Sequence, residues 1–255
     1  MLQKSRVVVL VKALPQPSKS YGETVCCAGV TASGEWKRLF PVRFRLLQAN
    51  SFSRWDWLDF SYRLPTRDKR TESCHVYEDS ITVGRSLPTP ERSRLLSPLI
   101  TGSAEEAMSK GLSLTLIRPR NVRFIAKKKS ASEIASEREA YKAAAKQNSF
   151  FDKELAELEP SPYEFKFQFD DENGAHKYEN GDWETHAMFY RWRKLYDEAE
   201  TLRRMAKTFN EEYPAKGMAF ALGNMAKRPQ TWQLLGILRL DEQRQDDLFG
   251  YTTKK

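Results

Sequence analysis

Residues 34–45 read Gly34-Glu35-Trp36-Lys37-Arg38-Leu39-Phe40-Pro41-Val42-Arg43-Phe44-Arg45, which puts four cations and three aromatic rings into twelve positions. Pro41 argues against a helix interior, because it has no N–H to give and its ring clashes with the preceding turn. An extended strand sorts the stretch simply. Trp36, Arg38, Phe40, Val42 and Phe44 fall on one face, and Lys37, Leu39, Arg43 and Arg45 on the other. The first face is expected to be core and the second a cationic surface. Just upstream, Ala32-Ser33-Gly34-Glu35 has the chemistry of a hairpin turn, so residues 24–31 are expected to pair back onto this strand.

The pattern extends outward in both directions. Residues 6–12, 55–62, a short run around Ile81-Thr82-Val83, and 112–125 with a break at Pro119 read as strands. Residues 64–72 read as a basic loop and 91–110 as one or two short helices. Composition then changes. Residues 127–160 are rich in Ala, Glu and Lys, which predicts a helical connector. Beyond it, Tyr163–Phe169 alternates strictly and predicts a strand, with a return at 176–178 after a turn. Residues 184–209 read mostly as helix, with Met188, Trp192, Leu195, Ala199 and Leu202 at helical spacing. The strands at 218–222 and 232–240 flank a loop containing Gly223-Asn224 and Lys227-Arg228. Short strands around one helical stretch argue against a doubly wound parallel sheet. They suit a mainly β fold with some helix (α+β), built as two small barrels or sandwiches.

The chain has 255 residues, of which 40% are hydrophobic and 30% charged, so it is expected to fold around a real core rather than stay disordered. No apolar run approaches the roughly 18 residues that a membrane helix needs. The Val7–Val11 run is strand-sized and has no cleavage site, so no signal peptide and no membrane partner are expected. Cys26, Cys27 and Cys74 lack zinc spacing and read as reduced thiols of a cytoplasmic protein. The net charge of +8 is uneven: residues 1–130 carry +12 and residues 131–255 carry −4. A basic half beside a mildly acidic one points to a polyanionic partner for the first half.

Several segments in fixed order carry a family resemblance. They are residues 11–47, from Val11-Lys12-Ala13 through Arg45-Leu46-Leu47, then Asp68-Lys69-Arg70-Thr71-Glu72-Ser73. Pro162–Phe169, Gly181-Asp182-Trp183-Glu184, Leu222-Gly223-Asn224 and Trp232–Leu240 follow. The chain resembles the bacterial dual-OB domain family, which is predicted to bind nucleic acid and is often encoded near phage-defence genes. The resemblance implies two OB-type barrels, a ligand that is single-stranded or structured DNA or RNA, and no established catalysis. The resulting expectation is a basic OB-like domain at 1–126, a helical connector at 127–160, a second OB-like domain with an inserted helix at 161–241, and a polar tail at 242–255. A nuclease or helicase encoded separately is the expected effector partner in antiviral defence, and no cofactor is expected.

Candidate contacts follow from the charge. Lys37, Arg43 and Arg45 on one strand face, Arg67, Lys69 and Arg70 on the next loop, and Arg118, Arg120 and Arg123 further on are expected to track a phosphate backbone. Asp68 and Glu72 are expected to pair internally with Arg70 or Arg38. Two other readings stay open. His176, Asp182, Glu184 and His186 on an extended segment would offer a divalent-metal set and a metal-dependent nuclease, although Asp182 equally suits a helix N-cap. Glu164 and Lys166, with Asp152 upstream, fit part of a nuclease pattern or simply the outward face of a strand. An adaptor whose acidic second half docks a protein is the third class.

Overall fold

The computed structural model describes residues 2–14, 16–18, 22–43, 52–66, 68–147 and 160–242. It is mainly β with short helices, and its strands form three sheets. The first half contains β1 (Gln3–Lys12), the short β2 (Gln16–Ser18), β3 (Gly22–Val30), β4 (Trp36–Arg43), β5 (Asp56–Arg63) and β6 (Ser73–Ser86). The sheet order is β1-β5-β6-β4-β3-β2, and a further β1–β3 pairing closes five of these strands into a ring. Every contact around that ring is antiparallel except β4–β6, which is parallel.

The second half contains α1 (Thr89–Leu96), β7 (Ile100–Thr101), α2 (Ala104–Ser109), β8 (Leu114–Ile117), β9 (Arg120–Lys128) and α3 (Ala131–Gln147). After these come β10 (Tyr163–Asp171), β11 (Gly174–Glu179), α4 (Trp183–Trp192), α5 (Glu198–Lys207), β12 (Met218–Met225) and β13 (Arg228–Arg239). Two sheets result, β11-β10-β9 and β13-β12-β8-β7. Pro119 interrupts one long strand, so β8 serves one sheet and β9 the other. The far sides of the sheets meet at a parallel bridge, Asn180↔Leu234, supported by the Gly181 N–H donating to the Leu234 carbonyl at 2.8 Å. Counting β8–β9 as one broken strand, the circuit runs β8/β9, β10, β11, β13, β12 and back. The first ring has the same order, with the same parallel contact between its third and fifth strands. One topology is therefore used twice, without a visible sequence repeat.

Two expectations about organisation are corrected. Strands β7, β8 and β9 pair with strands of the second half, so the sheets divide near residue 100 and not after 126. The helical stretch at 127–160 is not a connector between units. Its described part, α3, lies between the first two strands of the second ring.

Three apolar clusters hold the molecule together. One fills the first ring with Val7, Val9, Leu39, Val42 and Phe60. One fills the second with Phe124, Phe165, Phe167, Phe209 and Phe220. The third lies between the rings and includes Val8, Leu10, Trp36, Leu116, Ala221 and Leu238. The Val7–Val11 run is continuously apolar because β1 is buried on both faces: Val7 and Val9 enter its own ring, while Val8, Leu10 and, after a shift of register, Val11 meet the other. Strand β12 answers it, with seven consecutive buried residues from Met218 to Asn224. Gly223 lets the chains approach, since a Cβ there would lie 2.6 Å from Leu235 and 2.9 Å from Leu114.

The same two-sided burial corrects the reading of residues 34–45. Leu39, expected on the cationic face, is fully buried inside the first ring. Trp36 and Arg38 are buried against the second ring. Strand β4 carries one residue more than β3 between the pairs Val25↔Val42 and Cys27↔Leu39, so Leu39 and Val42 both face the ring interior. Further on, the helix expected over 184–209 is broken: α4 ends at Trp192, Asp197 caps α5, and Leu195 between them is 71% exposed. Cys27 and Cys74 are free thiols in the first ring's core, where burial pushes Cys74 up to about 12.

Strand β10 alternates buried and part-buried residues along its whole length. Phe167→Ala should therefore cost about 3–5 kcal/mol, while the neighbouring outward Lys166→Ala should cost about 0.5 kcal/mol or less. Urea denaturation midpoints of the two variants check this contrast.

Candidate functional site

In each ring one loop joins the fourth strand to the fifth. In the first ring this is residues 64–72, and in the second it is the tight turn at Ala226-Lys227, closed by the pair Met225↔Arg228. The two loops meet. Arg70 Nη1 donates to the Asn224 carbonyl at 2.8 Å, and its Nη2 donates to Asp68 Oδ2 at 2.6 Å. Ser73 Oγ donates to the same carboxylate at 2.7 Å. Burial alone would raise Asp68, but the bonds from Arg70 and Ser73 hold it down at about 2.

Beneath the loops lies a buried polar knot. Arg38, 4% exposed, donates from Nε to Ser113 Oγ at 3.2 Å and from Nη2 to the Ser113 and Asn224 carbonyls. Glu72, 6% exposed, accepts from both the N–H and the hydroxyl of Ser113 at 2.9 Å. Asp68 thus takes Arg70. Glu72 reaches Arg38 through Ser113 and through the Arg38 N–H, which donates to the Glu72 carbonyl at 2.7 Å. This satisfies groups that would be costly to bury alone.

Of the nine cations expected to track phosphate, four have a partner inside the molecule. Arg70 is docked as described, Lys37 lies 3.6 Å from Glu35, Arg118 bonds Glu242, and Arg120 Nη2 donates to the Asp171 carbonyl at 2.7 Å. Arg70 and Arg120 are tied to backbone carbonyls, whereas the pairs of Lys37 and Arg118 are part-exposed and leave those two cations within reach of a ligand. Arg45, Arg67 and the side chain of Arg43 lie outside the described residues. Lys69 and Arg123 are exposed and make no ion pair among the described residues. Lys227 and Arg228, on the turn that meets the loop of Lys69, are exposed and equally unpaired. Arg123 stands in a row across the second ring's outer sheet with Gln168 and Lys177. In the next rows Lys166 bonds Glu164 at 2.9 Å and lies 3.6 Å from Glu179, so the acid–lysine pattern there is a mutual pair.

The proposed metal set is dispersed. Asp182 caps α4, so Glu184 and His186 follow it on a helix and no longer share a strand face. Asp182 is 1% exposed; its Oδ1 accepts from Arg54 at 2.6 Å and its Oδ2 from the Ile237 N–H at 3.0 Å. Glu184 pairs with Lys12 at 2.9 Å, and His176 Nε2 lies 2.8 Å from Asp171. The His186 ring packs on Phe165 with centroids 4.9 Å apart. Among the described residues no group of His, Cys, Asp and Glu is placed to hold a metal. Sequence reasoning missed Arg54, Lys12 and Ser113, whose partners lie far away along the chain and leave no local signal.

Arg54→Ala should cost about 3–5 kcal/mol, because Asp182 is left buried without its counter-charge. The double variant Arg54→Met with Asp182→Leu should cost less than Arg54→Ala alone, and chemical denaturation measures both. Burial, helped by Lys129, pushes His186 down to about 4 from 6.5. The fold holds it neutral while the unfolded chain takes up a proton near pH 6.5. Its contribution is therefore complete above pH 6.5 and falls by up to about 1.4 kcal/mol per unit as the pH drops toward 4. His186→Phe should flatten that part of the stability–pH curve.

Among the described residues no helix is long and apolar enough to cross a membrane. No curated protein matches the chain. One solved structure similar to it is the crystal structure of the tetrameric p202 HIN2, at 10% identity over 91% of this chain and 86% of that chain, with a TM-score of 0.31. A likeness that loose carries no argument about fold or function. Two family profiles divide the chain near the point where the sheets divide. The domain of unknown function DUF8758 matches residues 3–99, and the domain of unknown function DUF8757 matches residues 97–252. The second match spans more than half of the sequence, and the chain belongs to the DUF8757 family.

Proposed function

We propose that the chain is a nucleic-acid-binding module built on two OB-type rings, taking single-stranded or structured DNA or RNA. One observation carries this reading: the fourth-to-fifth-strand loop of the first ring docks through Arg70 on Asn224, beside the corresponding turn of the second, and Lys69, Lys227 and Arg228 there are exposed and make no ion pair among the described residues. OB-type rings bind oligonucleotides through that loop and the neighbouring sheet face. A cationic track along the backbone is the general requirement for single strands. Arg123 and Lys177 extend the cationic surface onto the second ring's sheet, and the net charge of +8 favours a polyanion. The buried Arg38 and the half-buried Arg70 fix the seam rather than contact ligand.

The cysteine pattern supports placing the module in the cytoplasm, and the family resemblance supports placing it beside a separately encoded nuclease or helicase, in phage defence. The metal-nuclease reading loses its ligand set to Arg54, Lys12, Asp171 and Phe165. No observation favours the adaptor reading.

The test is fluorescence anisotropy with labelled single- and double-stranded DNA and RNA, with and without magnesium or manganese. Binding without cleavage is expected. The variant Lys69→Ala, Lys227→Ala, Arg228→Ala should weaken binding and flatten the plot of log affinity against log salt by roughly 2, about 0.7 for each lost phosphate contact with a single strand. Parental affinity and slope in this variant, or no binding to any probe by the parent, would overturn the reading.

A further inference from the structure

A cleft of about 450 Å³ opens at the junction of the rings, beside the loop seam and sharing Thr71 and Glu72 with it. The first ring supplies the Gly34-Glu35 turn, the start of β4 and Thr71-Glu72. The second supplies residues 98–101, Lys110 and Leu112. Its volume lies within the roughly 300–1,000 Å³ of small-molecule sites. The cleft exists only where the segments matched by the two family profiles pack together.

We propose that this cleft binds a nucleotide, with the base on the apolar floor and the phosphate between Lys37 and Lys110. Trp36, Leu99, Ile100 and Leu112 make that floor, and the Trp36 ring is fixed by the inter-ring core. Lys37 and Lys110 bring the charge. Their acids do not cancel it firmly. Glu35 stands 3.6 Å from Lys37 with its side chain 65% exposed, and Lys110 bonds Glu106 directly but across a surface i,i+4 pair whose side chains are 56% and 38% exposed. Such exposed pairs are weak, so a phosphate competes for the ammonium groups. The Glu72 carboxylate would repel an anion, but the Arg38 guanidinium, which shares Ser113 with it, offsets its charge. The Thr71 hydroxyl in the wall reaches only a long 3.4 Å contact and remains available to donate. Gly111, with φ of +71°, is so open that a Cβ there would meet nothing within 4 Å, which leaves the Lys110–Leu112 wall clear.

The ligand is either a free mononucleotide or the phosphorylated end of a strand, and the strand-end source rests on the nucleic-acid reading. Calorimetry of the full chain with nucleoside monophosphates tests the first source. Anisotropy with 5′-phosphorylated and 5′-hydroxyl oligonucleotides tests the second. A measurable mononucleotide affinity, or tighter binding of the phosphorylated oligonucleotide, is expected. Lys37→Ala with Lys110→Ala should reduce that signal at least tenfold while leaving oligonucleotide binding at the loop seam intact. The Lys69, Lys227, Arg228 variant should do the reverse, so the two readings fail separately. Leu112→Trp, which fills the cleft, should also abolish the signal. If it does not fold, the lysine double variant decides alone. Absence of both signals in the parent, or their persistence in the lysine double variant, would overturn the proposal.

Discussion

The packing of one ring against the other is the constraint on which the rest of the structure depends. Strand β1 and strand β12 each have two apolar faces, one turned into a ring and one turned toward the other ring. A ring standing alone would leave Val8, Leu10 and Trp36, or Ala219, Ala221 and Leu238, facing water. Burial of large aliphatic and aromatic side chains is worth about 1.5–3 kcal/mol each, so the two circuits are stable as a pair. Everything at the loop seam is positioned by that docking, since Arg70 reaches Asn224 only because the apolar strands beneath are in register.

Polar chemistry then fixes the orientation that apolar packing alone would leave loose. Arg38, Glu72 and Ser113 tie the two rings on one side, and Arg54 with Asp182 does so through a different pair of segments. Buried ion pairs add little net stability against apolar substitutes, yet losing one partner is expensive. They act as alignment devices: a rotated docking would strand an arginine without its acceptor. The consequence for function is a rigid relative placement of the two fourth-to-fifth-strand loops.

How much of this was legible in the sequence depended on how many faces of each strand are buried. Tyr163–Phe169 reads correctly because one face fills a ring and the other is open, so alternation in the sequence is alternation in space. Residues 34–45 mislead because β4 faces a ring on one side and the partner ring on the other, and an added residue shifts its phase midway. The unit boundary was hidden because strand pairing is non-local: composition marked 127–160 as a linker, while β8 and β9 were already committed to β12 and β10. At the site, the basic character of residues 64–72 was plain, but a cation's sequence does not tell whether it meets solvent or a carbonyl. Arg70 and Lys69 are neighbours with opposite fates. Asp182 was legible as a cap, whereas its bond to Arg54 across 128 positions was not.

Two arginines, Arg38 and Arg70, end on the same acceptor, and that acceptor is the backbone carbonyl of Asn224. A carbonyl is present whatever the side chain. The link therefore places a demand on only one of its two partners. The link asks nothing of the side chain at position 224 so long as β12 keeps its path, while it requires the arginines. Comparison of paired substitutions across relatives would register Asp68 with Arg70 and pass over the contact that joins the rings. This tie at the seam is thus of a kind that leaves no trace in sequence covariation.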